Sequence, residues 1–161
     1  MTASRTGIGW DSHRLAEGRS LVLGGVTVPS ERGLAGHSDA DVLTHAVIDA
    51  LLGAAALGDI GQHFPDTDER WRDADSLELL RAVRALLGER GFAPVNLDAT
   101  VICETPKLAP HRDAMRAALA AGAGLELDAV SVKFTTGEGM GFVGRGEGIA
   151  ALAIATLSPG G

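Results

Sequence analysis

Asp11 and His13 stand two residues apart in a glycine-rich opening, GIGWDSH at 7–13. On an extended segment, side chains at i and i+2 project to the same side, so the carboxylate and the imidazole face one point in space. They can share a metal ion or simply hydrogen-bond to each other. His45 offers a third ligand. It belongs to a helical pattern in which Asp41, His45 and Asp49 fall at i, i+4 and i+8 on one face, and the two carboxylates are expected to orient its ring. One Asp and two His with no cysteine nearby suit Zn²⁺ or a similar divalent ion with one coordination position open, as catalysis requires.

Four other stretches carry reactive or ligand-holding types. Gly36, His37, Ser38 and Asp39 precede the first helical pattern, where unpaired N–H groups and the helix dipole favour an anion, although Ser38 also reads as a plain N-cap. Residues 58–68, with Asp59, Asp66 and Asp68, hold too many turn residues and carboxylates for a helix and read as a ligand-contacting or a solvated loop. Cys103 to Ala109 leaves a strand and enters a helix, a usual position for a ligand pocket, and includes Lys107, one of two lysines. Thr135, Thr136, Gly137 and Glu138 leave the next strand. Arg145 lies in the glycine-rich GEGMGFVGRGEG at 137–148, which fits either a phosphate site or turns and subunit packing.

The elements that must position these groups are legible by pattern. Leu21 to Leu23 and Val26 to Val28 around Gly24-Gly25 read as a hairpin. Ser38 with Asp41 resembles a capping box before a helix to about Leu57. A second signal, Asp75 with Glu78, opens a helix to about Arg90, closed by Gly91. Val95, Leu97, Ala99, Val101 and Cys103 alternate with polar residues as in a strand with one buried face. A helix over about His111 to Ala121 follows, then a strand over Val130 to Phe134. Ile149 to Leu157, apolar on both faces, reads as a central or interface-buried strand. Strands flanking helices mean α+β or α/β, with a sheet covered on at least one face.

Composition bounds the rest. The chain has 161 residues, 45% of them apolar, with 14 Lys+Arg against 21 Asp+Glu, a net charge of −7. That is enough for one domain with a real core. The acidic balance argues against general nucleic-acid binding. The longest apolar run, Ile149 to Ala155, is too short to cross a bilayer, and no apolar signal segment opens the chain. Cys103 stands alone and makes no internal disulfide. A cytoplasmic protein is the expectation.

Together these segments resemble the 2-C-methyl-D-erythritol 2,4-cyclodiphosphate synthase family. The resemblance covers nearly the whole chain. It is carried by GIGWDSHRL (7–15), GHSDADVLTHAVIDALLGAAALGDIGQHFPDTD (36–68), ETPKLAPH (104–111) and VKFTTGEGMGFVGRGEGIA (132–150), in the family's order and spacing. It implies a single α+β catalytic domain over residues 1–161, with a mixed β-sheet covered by helices in a two-layer sandwich. It also implies a homotrimer with active sites between subunits. No fused kinase or cytidylyltransferase-type domain is expected at this length.

The family's site residues carry over by position. Asp11, His13 and His45 match the ligands of zinc or another divalent transition metal, and Glu138 matches a ligand of Mg²⁺ or Mn²⁺ bound with the substrate phosphates. His37 and Thr136 match transition-state stabilisers. Ser38 matches a neighbour of the erythritol phosphate, and Ser12 a further substrate contact. Asp59, Ile60 and Gly61 match contacts to the ribose or methylerythritol part, and Phe64, Pro65, Asp66, Thr67 and Asp68 a substrate loop. Cys103, Glu104, Thr105, Pro106, Lys107, Leu108 and Ala109, with Thr135 to Glu138, match the cytidine and diphosphate pocket. Phe142 and Arg145 match the lining of a central cavity suggested to take isoprenoid diphosphates. Gly137 replaces a frequent hydroxyl residue, and Trp10 a frequent Phe.

The implied reaction is closure of 4-diphosphocytidyl-2-C-methyl-D-erythritol 2-phosphate to 2-C-methyl-D-erythritol 2,4-cyclodiphosphate with loss of CMP. Two other readings differ in class. One is a metal-dependent phosphohydrolase, recognised by a linear product. The other is a non-catalytic trimer that senses isoprenoid diphosphates, for which an open coordination position would have no use.

Overall fold

The computed structural model describes residues 3–160. A long strand, β1 (Arg5–Ala16), is followed by the short strands β2 (Leu21–Leu23), β3 (Val26–Val28) and β4 (Gly33–Leu34). Helices α1 (Val42–Ala54), α2 (Ile60–His63) and α3 (Ser76–Glu89) come next, then β5 (Phe92–Ile102), α4 (Arg112–Ala123), β6 (Val130–Thr135), α5 (Gly141–Gly144) and β7 (Gly148–Pro159). The main sheet has the order β4-β1-β7-β5-β6 and is mixed, since β5 and β6 run parallel and the other pairs antiparallel. The helices pack on one face of it around a single core, which is the expected α+β two-layer arrangement.

The layers meet most closely between β1 and α1. Gly7 and Gly9 face the helix, and a Cβ on them would come within 2.0 Å of the Ala50 carbonyl oxygen and 1.9 Å of that of Ala46. Only glycine permits this approach. Because strand side chains alternate, Asp11 and His13 continue the same inward row and meet the start of α1, where His45 sits. The opposite row stays uncovered: Ile8 and Trp10 are 66% and 54% exposed, beside the exposed Leu152 and Ile154 of β7 with which they are in register.

Three expectations need correction. The α1 cap is Asp41, not Ser38. The buried Asp41 carboxylate accepts from Thr44 N, from Thr44 Oγ1, and from the Gly24 and Gly25 amides of the β2–β3 turn. Tying the hairpin to the helix is a long-range task that the local capping signal does not reveal. Residues 58–68 do contain a helical turn, α2, because Asp59 and Gln62 form a complete capping box. Pro65 then disfavours helix at Phe64. Finally, α1 stops at Ala54 rather than Leu57; Ala56 turns left-handed and Gly58 follows at φ +88°.

Candidate active site

Asp11, His13 and His45 converge. Asp11 Oδ2 lies 2.9 Å from His13 Nε2 and 3.2 Å from His45 Nδ1, and the two nitrogens are 3.3 Å apart. A tetrahedral cation held at about 2.0–2.1 Å by each ligand needs ligand atoms about 3.3 Å from one another. The triangle therefore fits a divalent metal with a fourth position open, and among the described residues it is the one such group of three. Burial alone would raise the Asp11 carboxyl, but hydrogen bonds from His13 and His45 outweigh it and hold the pKa at about 2. Burial lowers His45, yet the Asp11 hydrogen bond and the charges of Asp11, Asp41 and Asp39 leave it raised. The site thus prefers positive charge at its centre.

Asp41 and Asp49 do not orient the His45 ring. Asp41 is spent on the cap and hairpin, and Asp49 accepts from Ile60 N at 2.8 Å. The back of the ring instead meets two hydroxyls: His45 Nε2 lies 2.8 Å from Ser76 Oγ and 3.1 Å from Ser38 Oγ. Of the amides expected to bind an anion before α1, that of Asp39 is engaged internally, as are those of the next two residues. Asp39 N donates to Ala74 O, Ala40 N to Ser38 Oγ and Asp41 N to Asp39 Oδ1. Buried backbone donors find internal partners wherever the chain folds tightly enough to supply them.

The triad lies in a cavity of about 410 Å³ that also brings together His37, Ser38, Ile60, Gly61, Phe64, Pro65 and Asp66. The His37 ring is steadied by the Asp68 carbonyl, 3.1 Å from Nε2. Asp59, Thr67 and Asp68 do not line this cavity. Asp59 caps α2, and Asp68 caps a 3-10 turn over Glu69–Trp71 and pairs with Arg70. Ser12 points to the other side of β1, beside Phe142 and Glu147.

A second, separate cavity is lined by Cys103, Glu104, Pro106, Lys107, Leu108, Ala109, Thr135 and Thr136. One chain does not join it to the first. Burial pushes the Cys103 thiol up to about 11, and its Sγ donates to the Thr105 carbonyl, so it acts as a neutral packing group. Thr105 lines a neighbouring cavity with Arg32 and Pro106. Gly137 donates its N–H to the Glu104 carboxylate, and a Cβ there would meet Gly144 N and Met140 O at 2.9 Å. A side chain there would require these neighbours to shift. Glu138 is exposed, with a left-handed φ of +54°, and its N–H donates to Thr136 Oγ1. Arg145 is paired with Glu147, whose carboxylate lies 2.9 Å from its Nε.

The family model of the YgbB family matches residues 4–158. The chain belongs to the YgbB family. A 2-C-methyl-D-erythritol 2,4-cyclodiphosphate synthase of Salinibacter ruber is 64% identical over 153 residues, 95% of this chain and 98% of that one. The bifunctional IspDF from Campylobacter jejuni superposes with a TM-score of 0.95 at 42% identity, over 99% of this chain; the chain spans 43% of that protein's length. A 2C-methyl-D-erythritol-2,4-cyclodiphosphate synthase solved in its CDP-bound form gives a TM-score of 0.87 at 42% identity, over 95% of this chain and 99% of that one.

Within this YgbB-family fold, the sequence alone did not point to Trp71, Leu79 or Ser76, and it placed Asp39 in an anion-binding stretch rather than behind His45. Trp71 packs edge-on against Phe64, ring centres 5.0 Å apart, and with Leu79 forms an apolar wall of the triad cavity. A lone aromatic in the charged stretch ERWRD was the available signal. Ser76 was hidden by the stronger capping signal of its neighbour Asp75.

Proposed function

We propose that the protein closes 4-diphosphocytidyl-2-C-methyl-D-erythritol 2-phosphate to 2-C-methyl-D-erythritol 2,4-cyclodiphosphate and CMP. It would act as a phosphorus–oxygen lyase of the non-mevalonate isoprenoid pathway, in the cytoplasm, with residues 1–161 as one catalytic domain. The Asp11–His13–His45 triangle carries this reading, supported by the names of relatives as similar as 64% identical.

The nucleophile is the substrate's own 2-phosphate, already an anion, so no general base is needed. The remaining work is to align two mutually repelling phosphates and offset their charge. Asp11, His13 and His45 hold Zn²⁺ or another divalent transition metal, while Glu138 holds Mg²⁺ or Mn²⁺ with the diphosphate. Bound there, such cations supply electrophilic charge at phosphate oxygens. His37, with its ring fixed by the Asp68 carbonyl, and Thr136 stabilise the transferring group. Ser38 and the Ile60 to Asp66 wall orient the methylerythritol part, and Cys103 to Ala109 with Thr135 to Gly137 hold cytidine. Asp59 and Asp68 contribute by capping α2 and the turn after it.

Two features support assembly as a homotrimer with shared sites. The triad and the cytidine segments open into different cavities of one chain. The apolar row of Ile8, Trp10, Leu152 and Ile154 is uncovered, and a threefold arrangement would bury it. Ser12, Phe142 and Arg145 would then face a central cavity able to take an isoprenoid diphosphate. The deciding experiment is ³¹P NMR of the product formed from the diphosphocytidyl substrate. A cyclic diphosphate with CMP is expected; a linear phosphorylated product would overturn the reading in favour of hydrolysis.

A further inference from the structure

We propose that Ser76 and Asp39 are positioning residues for His45, a hydrogen-bonded relay that keeps its Nε2 protonated and leaves its Nδ1 lone pair for the cation. The inference rests on the metal-site reading above and adds to it the groups that set the ligand's tautomer.

Asp39 grips Ser76 twice. Its Oδ1 accepts the Ser76 hydroxyl proton in a very short hydrogen bond, and its Oδ2 accepts from Ser76 N at 2.9 Å. A serine hydroxyl has one proton to give. With that proton committed to a carboxylate, Ser76 Oγ can only accept from the ring nitrogen 2.8 Å away, so His45 Nε2 must carry hydrogen. Nδ1, on the opposite edge, points at Asp11 Oδ2 and His13 Nε2. Ser76 is fully buried, so water does not replace it. Ser38 Oγ also faces Nε2, but at 3.1 Å, and it already accepts from Ala40 N. Asp39 is anchored in turn by its own N–H to Ala74 O and by Asp41 N to its Oδ1. The relay therefore links the entry to α1 with the first residue of α3, 37 positions apart. Outer partners of this kind hold ring orientation and raise ligand basicity, and their removal weakens metal binding about 10- to 100-fold.

The test uses zinc-loaded, ¹⁵N-labelled full-length protein, with Ser76→Ala, Asp39→Asn and His45→Ala as variants. The expected wild-type spectrum has His45 metal-bound at Nδ1 and protonated at Nε2, with a slowly exchanging Nε2–H proton. Chelator competition should show zinc bound at least about tenfold more weakly by Ser76→Ala, with that proton signal shifted or exchange-broadened. Asp39→Asn should move both readouts the same way. A wild-type spectrum with His45 protonated at Nδ1 overturns the relay without any variant having to fold. Zinc affinity within about twofold of wild type in Ser76→Ala, with an unchanged ring signal, overturns it as well. His45→Ala separates the two levels: if it retains full zinc, the metal-site reading itself fails.

Discussion

Gly9→Ala offers the sharpest test of how the fold builds the triad. A Cβ at Gly9 would sit 1.9 Å from the Ala46 carbonyl oxygen and 2.8 Å from Ala50 N, both backbone atoms of α1. Backbone in mid-helix cannot swing aside, so reaching even 3.0 Å requires β1 and α1 to part by about 1.1 Å (3.0 − 1.9). Asp11 and His13 travel with the strand, and His45 with the helix. Their 3.2 Å carboxylate–imidazole separation would open beyond the roughly 3.3 Å edge a tetrahedral cation tolerates. Overpacking of this severity costs about 3 kcal/mol, the upper end of the usual range. For a chain of this size that lowers the melting temperature by roughly 6–12 °C. Thermal unfolding at one fixed protein concentration, with zinc per chain measured after dialysis, checks both effects. Gly88→Ala is the control, since a Cβ there meets nothing within 4 Å on an exposed helix position; it should be neutral or stabilise by about 0.5–1 kcal/mol. A Gly9→Ala protein that melts within about 2 °C of wild type and keeps one zinc per chain would refute the strand–helix account.

Other expected outcomes follow from the same geometry. His45→Ala should lose zinc and lower turnover about a thousandfold while the sheet stays intact, measured by metal analysis, product assay and circular dichroism. Glu138→Gln should alter the Mg²⁺ dependence of turnover and leave zinc content unchanged; an unaltered Mg²⁺ titration would remove Glu138 from the site. The raised His45 value means that metal-free protein draws stability from the protonated ring below the unfolded value of about 6.5 and loses it as pH climbs through the folded value. A cation needs that ring unprotonated. The melting-temperature gap between zinc-loaded and chelator-treated protein should therefore widen from about pH 6 to about pH 8, and a narrowing gap would contradict the coupling. Sedimentation at micromolar concentration should show a trimer, and a stable monomer would contradict burial of the Ile8, Trp10, Leu152 and Ile154 row.

Where local pattern and tertiary environment agree, the sequence was readable. The hairpin at Gly24-Gly25, the alternation through Leu97, Ala99 and Val101, and the pairing of Asp11 with His13 all follow from a period of two with one face buried. What escaped depended on contacts distant in the chain. Asp41 and Ser38 satisfy the same local capping signal, and only the Gly24 and Gly25 amides decide between them. The spacing of Asp41, His45 and Asp49 suggests that the carboxylates serve the ring, yet α1 is buried almost all round, and each polar group there is met by backbone or a hydroxyl from elsewhere. Ser76 reaches His45 across 31 positions, beyond any window of local periodicity. The two halves of the proposed site share one sequence. That one chain leaves them in different cavities is a property of topology, not of motif.

β1 has no idle side. Its inward row runs Gly7, Gly9, Asp11, His13, and its outward row Ile8, Trp10, Ser12, so each residue's parity decides whether it faces α1 and the triad or the uncovered side of the sheet. Inserting one amino acid between Trp10 and Asp11 would put the two halves of the inward row on opposite faces. Either an indole and a branched chain would be forced where only hydrogen atoms fit, or the acid and imidazole would be turned outward. The strand should tolerate no change in its length.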